Sequence, residues 1–421
     1  MKILFATAQI LSISSSDRLH LTTSSFGGWT MALIRQLRNY DIEVGIAMCA
    51  PIASLYSEVV DGMTIYILPI IGKNKQISDV DCDKVVTDFS PDLIQIEGTE
   101  FACQNTFSKN RGIKRLVSLQ GILNGYEPYQ YGQLPMDELL HSHTSIADRV
   151  SASILRFRKK HFFNDRLGLE IDTIANADYL TGRTSWDRAH SYWINREAKY
   201  YTCNRILRDD FYTSKWDPMH GSSHVVFASN GSSALKGVHN AIQAIALLKN
   251  EYPDVRLVVA GPHAAGKPSI TRPKSLGYPL YLEQLITRLG VEDNIFFTGM
   301  LSESEMVQQL SRSSVYVLTS LIENSPNSLG EAMLMGVPCV SAYVGGVSDM
   351  ATEREVLFYR ANDPKMLAWQ VKRLFDSEDL RNQLSNNAMR RARKTHDKAK
   401  NAKAMISAYE DILGLSIEKL S

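Results

Sequence analysis

The sequence lacks the features of a secreted, a membrane-spanning or a nucleic-acid-binding protein. Its five cysteines are odd in number and contain no C-x-x-C pair, which argues against a disulfide framework and against a zinc site. No run approaches ~18 consecutive apolar residues, the length that predicts a membrane span. The formal net charge is only +1, so no overall attraction draws the chain to nucleic acid. These absences favour a cytoplasmic protein with reduced thiols and no nucleic-acid partner.

Metal-binding patterns are also scarce. The histidines show no H-E-x-x-H spacing, and no Asp-x-Asp pair stands at the end of a predicted strand. Patterns of this kind bring several ligands to one point, which a resident metal ion requires. We therefore expect no metal and no other resident cofactor.

Strand and helix patterns alternate in two separate series. The chain has 421 residues, 44% hydrophobic and 22% charged, which suits two or three globular domains. Buried strands are predicted at residues 2–6, 43–48, 64–68, 93–97 and 114–119, and again at 224–228, 255–260, 294–298 and 315–318. Because strand–helix units repeat, we predict an α/β protein with parallel sheets whose ligands lie at the carboxyl ends of the strands.

The connection between the two series is predicted within residues 212–223, where Pro218 and Gly221 give turn composition. The predicted segments are two domains, 1–215 and 216–395, and a final helix, 396–421. Within the first domain, residues 136–200 are predicted to form an irregular, largely helical insertion.

Residues 151–163 of this insertion mix basic side chains with aromatic ones. Two interpretations stay open. A helix at a membrane surface would place cations against anionic headgroups and rings at the interface. A solvated helix that packs through its Phe and Leu side chains would have the same composition.

Residues 318–338 carry the most informative motif. A strand is followed by a polar loop and a helix, whose start is marked by Pro326 and whose end is marked by Gly336. The first N–H groups of a helix have no partner within it and lie at its positive end, so they bind anions. The phosphate-binding backbone groups predicted here belong to Asn327, Ser328 and Leu329.

Two carboxylates, Glu323 and Glu331, bracket this helix start. A carboxylate repels a phosphate, but it accepts hydrogen bonds from sugar hydroxyls. The combination predicts a site for a nucleotide-diphosphate sugar, with Glu331 toward the ribose and Glu323 toward the hexose. The alternative is an ordinary strand–loop–helix unit whose glutamates are solvated.

The spacing Glu323-x7-Glu331, with Gly336-Val337-Pro338 and Gly345-Gly346-Val347, resembles the signature of the large retaining GT-B glycosyltransferase family, also called glycosyl transferases group 1. That family typically carries a Glu-Gly-Phe-Gly-type loop, where this chain has Glu323-Asn324-Ser325-Pro326, a variant that resembles bacterial polysaccharide enzymes. The resemblance implies two Rossmann-like domains facing each other across a cleft, with the last helix packed on the first domain.

A lysine lies between a predicted strand and helix of the second series, in Lys236-Gly237. It resembles the lysine of the family's Arg-x4/5-Lys-Gly motif, which neutralises charge on the departing diphosphate. The arginine of that motif is absent, because Asn230 or Gly231 stands in its place. Arg183 is a candidate for the second cation; the alternative is that it pairs only with Asp187.

Two glycine turns complete the implied donor site. Gly27-Gly28 precedes the first helix, at the place of a family Gly-Gly near the donor phosphates. Gly299 and Leu301 lie in a turn that resembles the family's base-binding turn, where backbone groups read the base.

On the acceptor side, the strand ends carry Glu97, Glu100 and Gln120, at positions where many relatives have histidine. Because no histidine is present there, Glu97 is the candidate that assists the attacking hydroxyl as a base. Two other roles stay open for Glu97: it orients the acceptor only, or it has no role.

The resemblance implies a metal-independent, retaining transferase that moves a hexose to a glycan or lipid-linked acceptor in surface polysaccharide biosynthesis. Lys236, Glu323 and Glu97 are its candidate catalytic residues. The protein would be cytoplasmic, with or without peripheral contact to the inner membrane face through residues 151–163. The alternatives are a nucleotide-sugar 2-epimerase of the same fold and a non-catalytic nucleotide-sugar-binding protein.

Overall fold

A computed structural model describes residues 1–13, 19–21, 28–135, 139, 146–219, 224–231, 233–261 and 278–420, and within residues 146–162 the side chains of Phe157 and Lys160 alone. The chain forms two compact units. Unit 1 comprises Met1–Gly125, Lys160–Leu207 and His396–Ser421. Unit 2 comprises Tyr126–Lys159 and Arg208–Thr395.

The strands alternate with helices in both units. The strands are β1 Lys2–Thr7, β2 Glu43–Ala50, β3 Tyr56–Val60, β4 Met63–Pro69, β5 Leu93–Glu97, β6 Lys114–Ser118, β7 Tyr179–Gly182, β8 Lys199–Thr202, β9 Val225–Ala228, β10 Arg256–Ala260, β11 Ile295–Gly299, β12 Val315–Leu318, β13 Cys339–Ala342 and β14 Leu357–Tyr359. The helices are α1 Gly28–Leu37, α2 Asp79–Phe89, α3 Ala102–Ser108, α4 Leu123–Tyr126, α5 Ile146–Ala175, α6 Ser185–Ile194, α7 Asp210–Thr213, α8 Val238–Leu248, α9 Tyr278–Leu289, α10 Glu303–Arg312, α11 Asn327–Met335, α12 Val347–Met350, α13 Pro364–Asp376, α14 Glu378–Thr395 and α15 Lys398–Leu413.

The sheet of unit 1 has the strand order β3-β4-β2-β1-β5-β6-β7-β8. Only the β3–β4 pair is antiparallel among these strands. Ile3, Leu4 and Phe5 of β1 are fully buried, because helices cover both faces of a parallel sheet and favour continuous apolar strands. The direction of winding reverses between β1 and β5, which is where ligands bind in open α/β sheets.

The sheet of unit 2 has the order β11-β10-β9-β12-β13-β14, and all its pairs are parallel. Every residue of β12 is buried. Here the winding reverses between β9 and β12, so the loops that follow these two strands line the expected binding crevice. The predicted α/β class with two parallel sheets is confirmed.

The division between the units differs from the predicted one at residues 215 and 216. It lies between Leu207 and Arg208, because the following segment is built into unit 2. Phe211 is fully buried, and Trp216 donates its backbone N–H to the Met335 carbonyl at 2.8 Å. The Trp216 indole N–H also donates to the Ser313 carbonyl at 2.7 Å. We call residues 208–216 the strap.

The prediction of an irregular insertion at residues 136–200 is wrong for the last third of that range. Residues 176–200 include β7, α6 and the first residues of β8, which extend the sheet of unit 1. The two strands have four residues each, and β8 is a sheet edge with half-exposed side chains, so its pattern lacks a buried strand's apolar run. Helix α5 is continuous from Ile146 to Ala175 and its residues are divided between the units.

The C-terminal helix α15 belongs to unit 1 and completes its core. Met405, Ile406 and Tyr409 are buried among the residues of β1, β2 and α1. The Tyr409 hydroxyl also donates to the side-chain oxygen of Gln95 at 2.5 Å, which joins the helix to the middle of β5.

Candidate functional site

The loops after β9 and β12 are joined by hydrogen bonds at the crevice of unit 2. The Leu321 N–H donates to the Leu235 carbonyl at 2.9 Å, and the Thr319 hydroxyl donates to the Lys236 carbonyl at 2.7 Å. Gly237 has φ +66°, and a Cβ there would lie 2.0 Å from the Thr319 carbonyl oxygen. Only glycine permits this close approach, which explains the Lys-Gly pair.

Lys236 and Glu323 meet in this crevice. The Lys236 ammonium lies 2.5 Å from Oε1 of Glu323, and the Ser320 hydroxyl donates to the same oxygen at 2.7 Å. The Glu323 side chain is 10% exposed and that of Lys236 26% exposed. Two predicted site residues, separated by 87 positions, are therefore in direct contact.

A third loop, after β13, closes on the backbone of Glu323. The Gly346 N–H donates to the Glu323 carbonyl at 3.0 Å. Gly345 has φ +50°, and a Cβ there would lie 1.9 Å from the same carbonyl oxygen. The Gly-Gly turn recognised in the sequence thus fixes the position of Glu323.

The N-terminus of α11 points into the same crevice, because α11 follows the loop after β12. Helix α11 begins at Asn327, and Pro326 has no side-chain group that could cap it. Beneath its first turn, the buried Tyr316 hydroxyl bonds to Ser328 at 2.8 Å and to Ser229 at 2.9 Å. The first turn of α11 is thereby held from below by β9 and β12.

The neighbouring helix α8 has a different N-terminus. Its His239 N–H donates to the Tyr278 hydroxyl at 3.1 Å, so a buried phenol caps this helix. Burial also raises the pKa of the Tyr278 hydroxyl, which therefore stays protonated and neutral. Of these two helix starts, α11 is the better place for an anion.

Glu331, on the buried face of α11, is 3% exposed. The Arg208 guanidinium grips it with two hydrogen bonds: Nε to Oε1 and Nη2 to Oε2, each 2.8 Å. Burial raises the pKa of the Glu331 carboxyl, and the hydrogen bonds to Arg208 oppose part of that rise. No local pattern in the sequence marks Arg208, so its place in the site was not predicted.

Tyr126 is a second residue of the crevice that was not predicted from the sequence. Its hydroxyl accepts a hydrogen bond from the Asn324 N–H at 3.1 Å, directly after Glu323. Its position at the end of α4, with no motif around it, gave no signal. The phenol lies beside the loop in which a donor phosphate was predicted.

The predicted base-binding turn lies at the end of β11, two strands away from β9. Gly299 has φ +78°, and its carbonyl accepts the Gly261 N–H at 2.8 Å. Leu301 follows in the loop and is half-buried. The turn lies at the carboxyl edge of the same sheet as Lys236.

The remaining predicted donor residues lie in unit 1 or outside the described residues. Gly28 begins α1 and is exposed, while Gly27 lies outside the described residues. Arg183 is 8% exposed, and its guanidinium donates to the Leu119 carbonyl. Its Nε is buried and makes no hydrogen bond to the residues that the structure describes. The Arg183 backbone N–H, by contrast, donates to the Asp187 carboxylate at 3.0 Å.

The predicted acceptor residues lie at the ends of β5 and β6 in unit 1. Glu97 is 3% exposed and accepts a hydrogen bond from the Gln95 side chain at 2.5 Å. The Gln120 amide lies 3.5 Å from the other oxygen of Glu97. Glu100 accepts the Thr99 N–H at 3.2 Å. Glu97 is therefore a buried carboxylate oriented by two amides.

Within the described residues, no group of three His, Cys, Asp or Glu side chains is arranged to hold a metal ion. The absence of a metal from the reaction stays a prediction. Among the helices that the structure describes, none combines the length and apolarity needed to cross a bilayer.

The part of the chain that contains Lys236, Glu323 and Glu331 matches a known protein family. Residues 215–391 match the family described as Glycosyl transferases group 1. The D-inositol 3-phosphate glycosyltransferase of Streptomyces coelicolor is 29% identical over 167 residues, which are 38% of this chain and 34% of that protein. The match thus spans about a third of that relative's length.

Solved structures resemble the whole chain. Sucrose-phosphate synthase from Thermosynechococcus elongatus has a TM-score of 0.71, with 15% identity, over 98% of this chain and 100% of that one. The Anabaena protein Alr3699/HepE in complex with UDP-glucose has a TM-score of 0.67, with 17% identity, over 98% and 100%. At these identities the likeness establishes the fold alone.

Proposed function

Residues 215–391 belong to the glycosyl transferases group 1 family and the chain has the GT-B fold, and on this premise we propose that the protein is a hexosyltransferase. It moves a hexose from a nucleotide-diphosphate sugar to a glycan or lipid-linked glycan acceptor in surface polysaccharide biosynthesis. The pairing of Lys236 with Glu323, beside the start of α11, where Pro326 supplies no side-chain cap, supports this function most directly.

The diphosphate would lie at the first turn of α11. The backbone N–H groups of Asn327, Ser328 and Leu329 and the Lys236 ammonium would hold its charge, since a helix start and a cation together attract phosphate. The Leu329 N–H donates to the Pro326 carbonyl at 3.2 Å, at the long end of the usual range for such bonds. Gly299 and Leu301 would receive the base through their backbone groups.

The two carboxylates would accept hydrogen bonds from the sugar hydroxyls. Glu323 faces the hexose and already accepts hydrogen bonds from Lys236 and Ser320. A carboxylate offers about four lone-pair sites, so two bonds leave room for a hydroxyl donor. Glu331 would receive the ribose hydroxyls on the same principle.

The proposed reaction retains the anomeric configuration and needs neither a metal nor a protein nucleophile. The acceptor hydroxyl attacks the anomeric carbon from the face that the diphosphate leaves, and a departing phosphate oxygen takes the hydroxyl proton. The new C–O bond forms as the bond to phosphate breaks. Lys236 stabilises the charge that develops on the departing oxygen.

The acceptor groups belong to unit 1. Glu97 would orient the acceptor hydroxyl, and its burial with two amide neighbours supports a fixed position. Arg183 would supply the second cation that the Lys-Gly loop lacks, and its buried Nε without a partner in the described chain supports this assignment. Residues 151–163 would give peripheral contact with the inner membrane face, where Phe157 is 64% exposed.

Incubation with a panel of nucleotide sugars, without acceptor, tests the proposed function. A transferase hydrolyses its donor slowly and releases free nucleoside diphosphate. Conversion of a nucleotide sugar to its 2-epimer, without free nucleotide, would indicate the epimerase instead. Binding with neither product would indicate a non-catalytic nucleotide-sugar-binding protein.

A further inference from the structure

We propose that Arg208 is a positioning residue of the donor site, whose guanidinium fork fixes the plane of the Glu331 carboxylate so that one of its remaining lone pairs accepts a hydrogen bond from the ribose 2′-hydroxyl. This inference rests on the proposed function. It assigns a role to the strap, which lies outside every motif recognised in the sequence.

The geometry of the pair is that of a bidentate fork. Both hydrogen bonds measure 2.8 Å and use parallel N–H groups of one guanidinium, Nε and Nη2. A fork defines the plane of the carboxylate, whereas a single contact leaves it free to rotate. A carboxylate held in a fixed plane presents its remaining lone pairs in fixed directions, so that one of them can accept a ribose hydroxyl.

The fork leaves Glu331 able to accept a further hydrogen bond from a ribose hydroxyl. Each oxygen of Glu331 accepts one bond from Arg208, and each has a second lone pair. The Glu331 side chain is only 4% exposed, so few directions of approach remain. Arg208 is 29% exposed on its side chain and lies on the outer side of the pair.

Arg208 is itself held in place by the strap. Its guanidinium lies 4.7 Å from the centre of the fully buried Phe211 ring, a cation–π contact. The Asp210 N–H donates to the Glu303 carboxylate at 3.2 Å, which joins the strap to α10. These contacts already restrict the arginine side chain. Binding of the ribose would therefore cost little further conformational entropy.

The charges around Glu331 make the arginine necessary. Burial and the carboxylate of Glu303 both raise the pKa of Glu331, while Arg208 lowers it. Glu303 and Asp210 also favour the charged form of Arg208. Without Arg208 the Glu331 pKa would rise further, and a protonated carboxyl would lose acceptor capacity.

A purely structural role is the competing explanation, in which Arg208 only anchors the strap. Two readouts separate the roles, because anchoring does not depend on ribose chemistry or on the protonation of Glu331. The first is discrimination between UDP-glucose and 2′-deoxy-UDP-glucose. The second is the pH dependence of donor affinity between about pH 6 and pH 8.5.

The experiment measures dissociation constants by titration calorimetry for the wild type, Arg208→Gln, Arg208→Lys, Glu331→Gln and the double variant. The probe is UDP-glucose, or the nucleotide sugar that the panel selects, with its 2′-deoxy analogue. The matched control is Trp216→Phe, which removes another strap contact, the bond to the Ser313 carbonyl, and leaves the fork intact.

We expect the wild type to prefer the ribose form by about tenfold, the loss typical of one hydrogen bond to a charged group. Arg208→Gln should reduce this preference to about twofold or less, Arg208→Lys should be intermediate, and Trp216→Phe should keep it. The affinity of Arg208→Gln for the nucleotide sugar should increase as the pH rises, whereas the affinity of the wild type should change little. The double variant should be no worse than Glu331→Gln.

An Arg208→Gln variant with the wild-type ribose preference and a flat pH profile would overturn the inference. If Glu331→Gln loses the preference and Arg208→Gln keeps it, only the role of Arg208 fails. If the wild type shows no preference at all, the ribose assignment of the proposed function fails as well. Should Arg208→Gln not fold, Arg208→Lys answers the same question.

Discussion

At the scale of single residues, the candidate site holds its charges in pairs. Lys236 pairs with Glu323 and Arg208 pairs with Glu331, so neither buried carboxylate is left unpaired. Burying an unpaired charge is costly, and each pairing offsets part of that cost. A nucleotide sugar would then share these partners and would not have to displace them.

Substitution of Lys236 by alanine should slow donor hydrolysis and transfer by about a hundredfold, the loss typical of one electrostatic stabiliser of a leaving group. Donor affinity should fall less, because the α11 amides remain. Initial rates and calorimetry on the same preparation measure both effects. Lys249→Ala is the matched control, since Lys249 lies just beyond the other end of α8 and its ammonium bonds to the Gly290 carbonyl in a loop. Equal losses in rate and affinity would contradict a role in leaving-group stabilisation.

At the scale of elements, the site is formed jointly by the three loops that follow β9, β12 and β13. Gly237 and Gly345 lie where these loops approach one another most closely, and both glycines have positive φ and no room for a Cβ. These contacts explain why Lys236 and Glu323 meet although they are far apart in sequence.

Gly345→Ala should displace the loop that holds Glu323, because the new Cβ would lie 1.9 Å from the Glu323 carbonyl oxygen. Gly290→Ala is the matched control: its φ is +63°, and a Cβ there meets nothing within 4 Å. Both variants should lose about 1 kcal/mol of stability from the left-handed backbone. Only Gly345→Ala should also lose donor affinity. Urea unfolding and calorimetry give the two quantities, and intact donor binding in Gly345→Ala would count against the assignment.

The elements also show what sequence reasoning can reach. Most buried strands of both sheets and the start of α11 were predictable, because apolar runs, Pro326 and Gly336 are local signals. Strands β3, β7, β8 and β14 were not predicted, since three to five residues at or near a sheet edge leave almost no pattern. Arg208 was missed because its partner Glu331 is 123 positions away, and only the fold brings them together.

The whole molecule should lose stability as the pH falls below neutral. Burial lowers the pKa of His239, in unit 2, and of His396, in unit 1, to about 4. In the unfolded chain both imidazoles titrate near about pH 6.5. Between these two pH values the unfolded state binds more protons than the folded state. The free energy of unfolding therefore decreases as the pH decreases.

Each histidine should lower the free energy of unfolding by about 1 kcal/mol when the pH is lowered from 7.5 to 5.5. Burial raises the pKa of Glu331 and Glu170, which acts in the opposite direction at lower pH, so the comparison stops at about pH 5.5. Urea unfolding at the two pH values measures the change, and His396→Gln should show a smaller one. A stability that is constant or higher at pH 5.5 would refute this prediction.

The central claim for the molecule is that the crevice between β9 and β12 binds an activated sugar. A crystal of the protein soaked with its preferred nucleotide-diphosphate sugar tests it most directly. We expect the diphosphate within hydrogen-bond distance of Lys236 and the first turn of α11, with the hexose at Glu323. Clear density for the compound at any other place, with this crevice empty, would contradict the account.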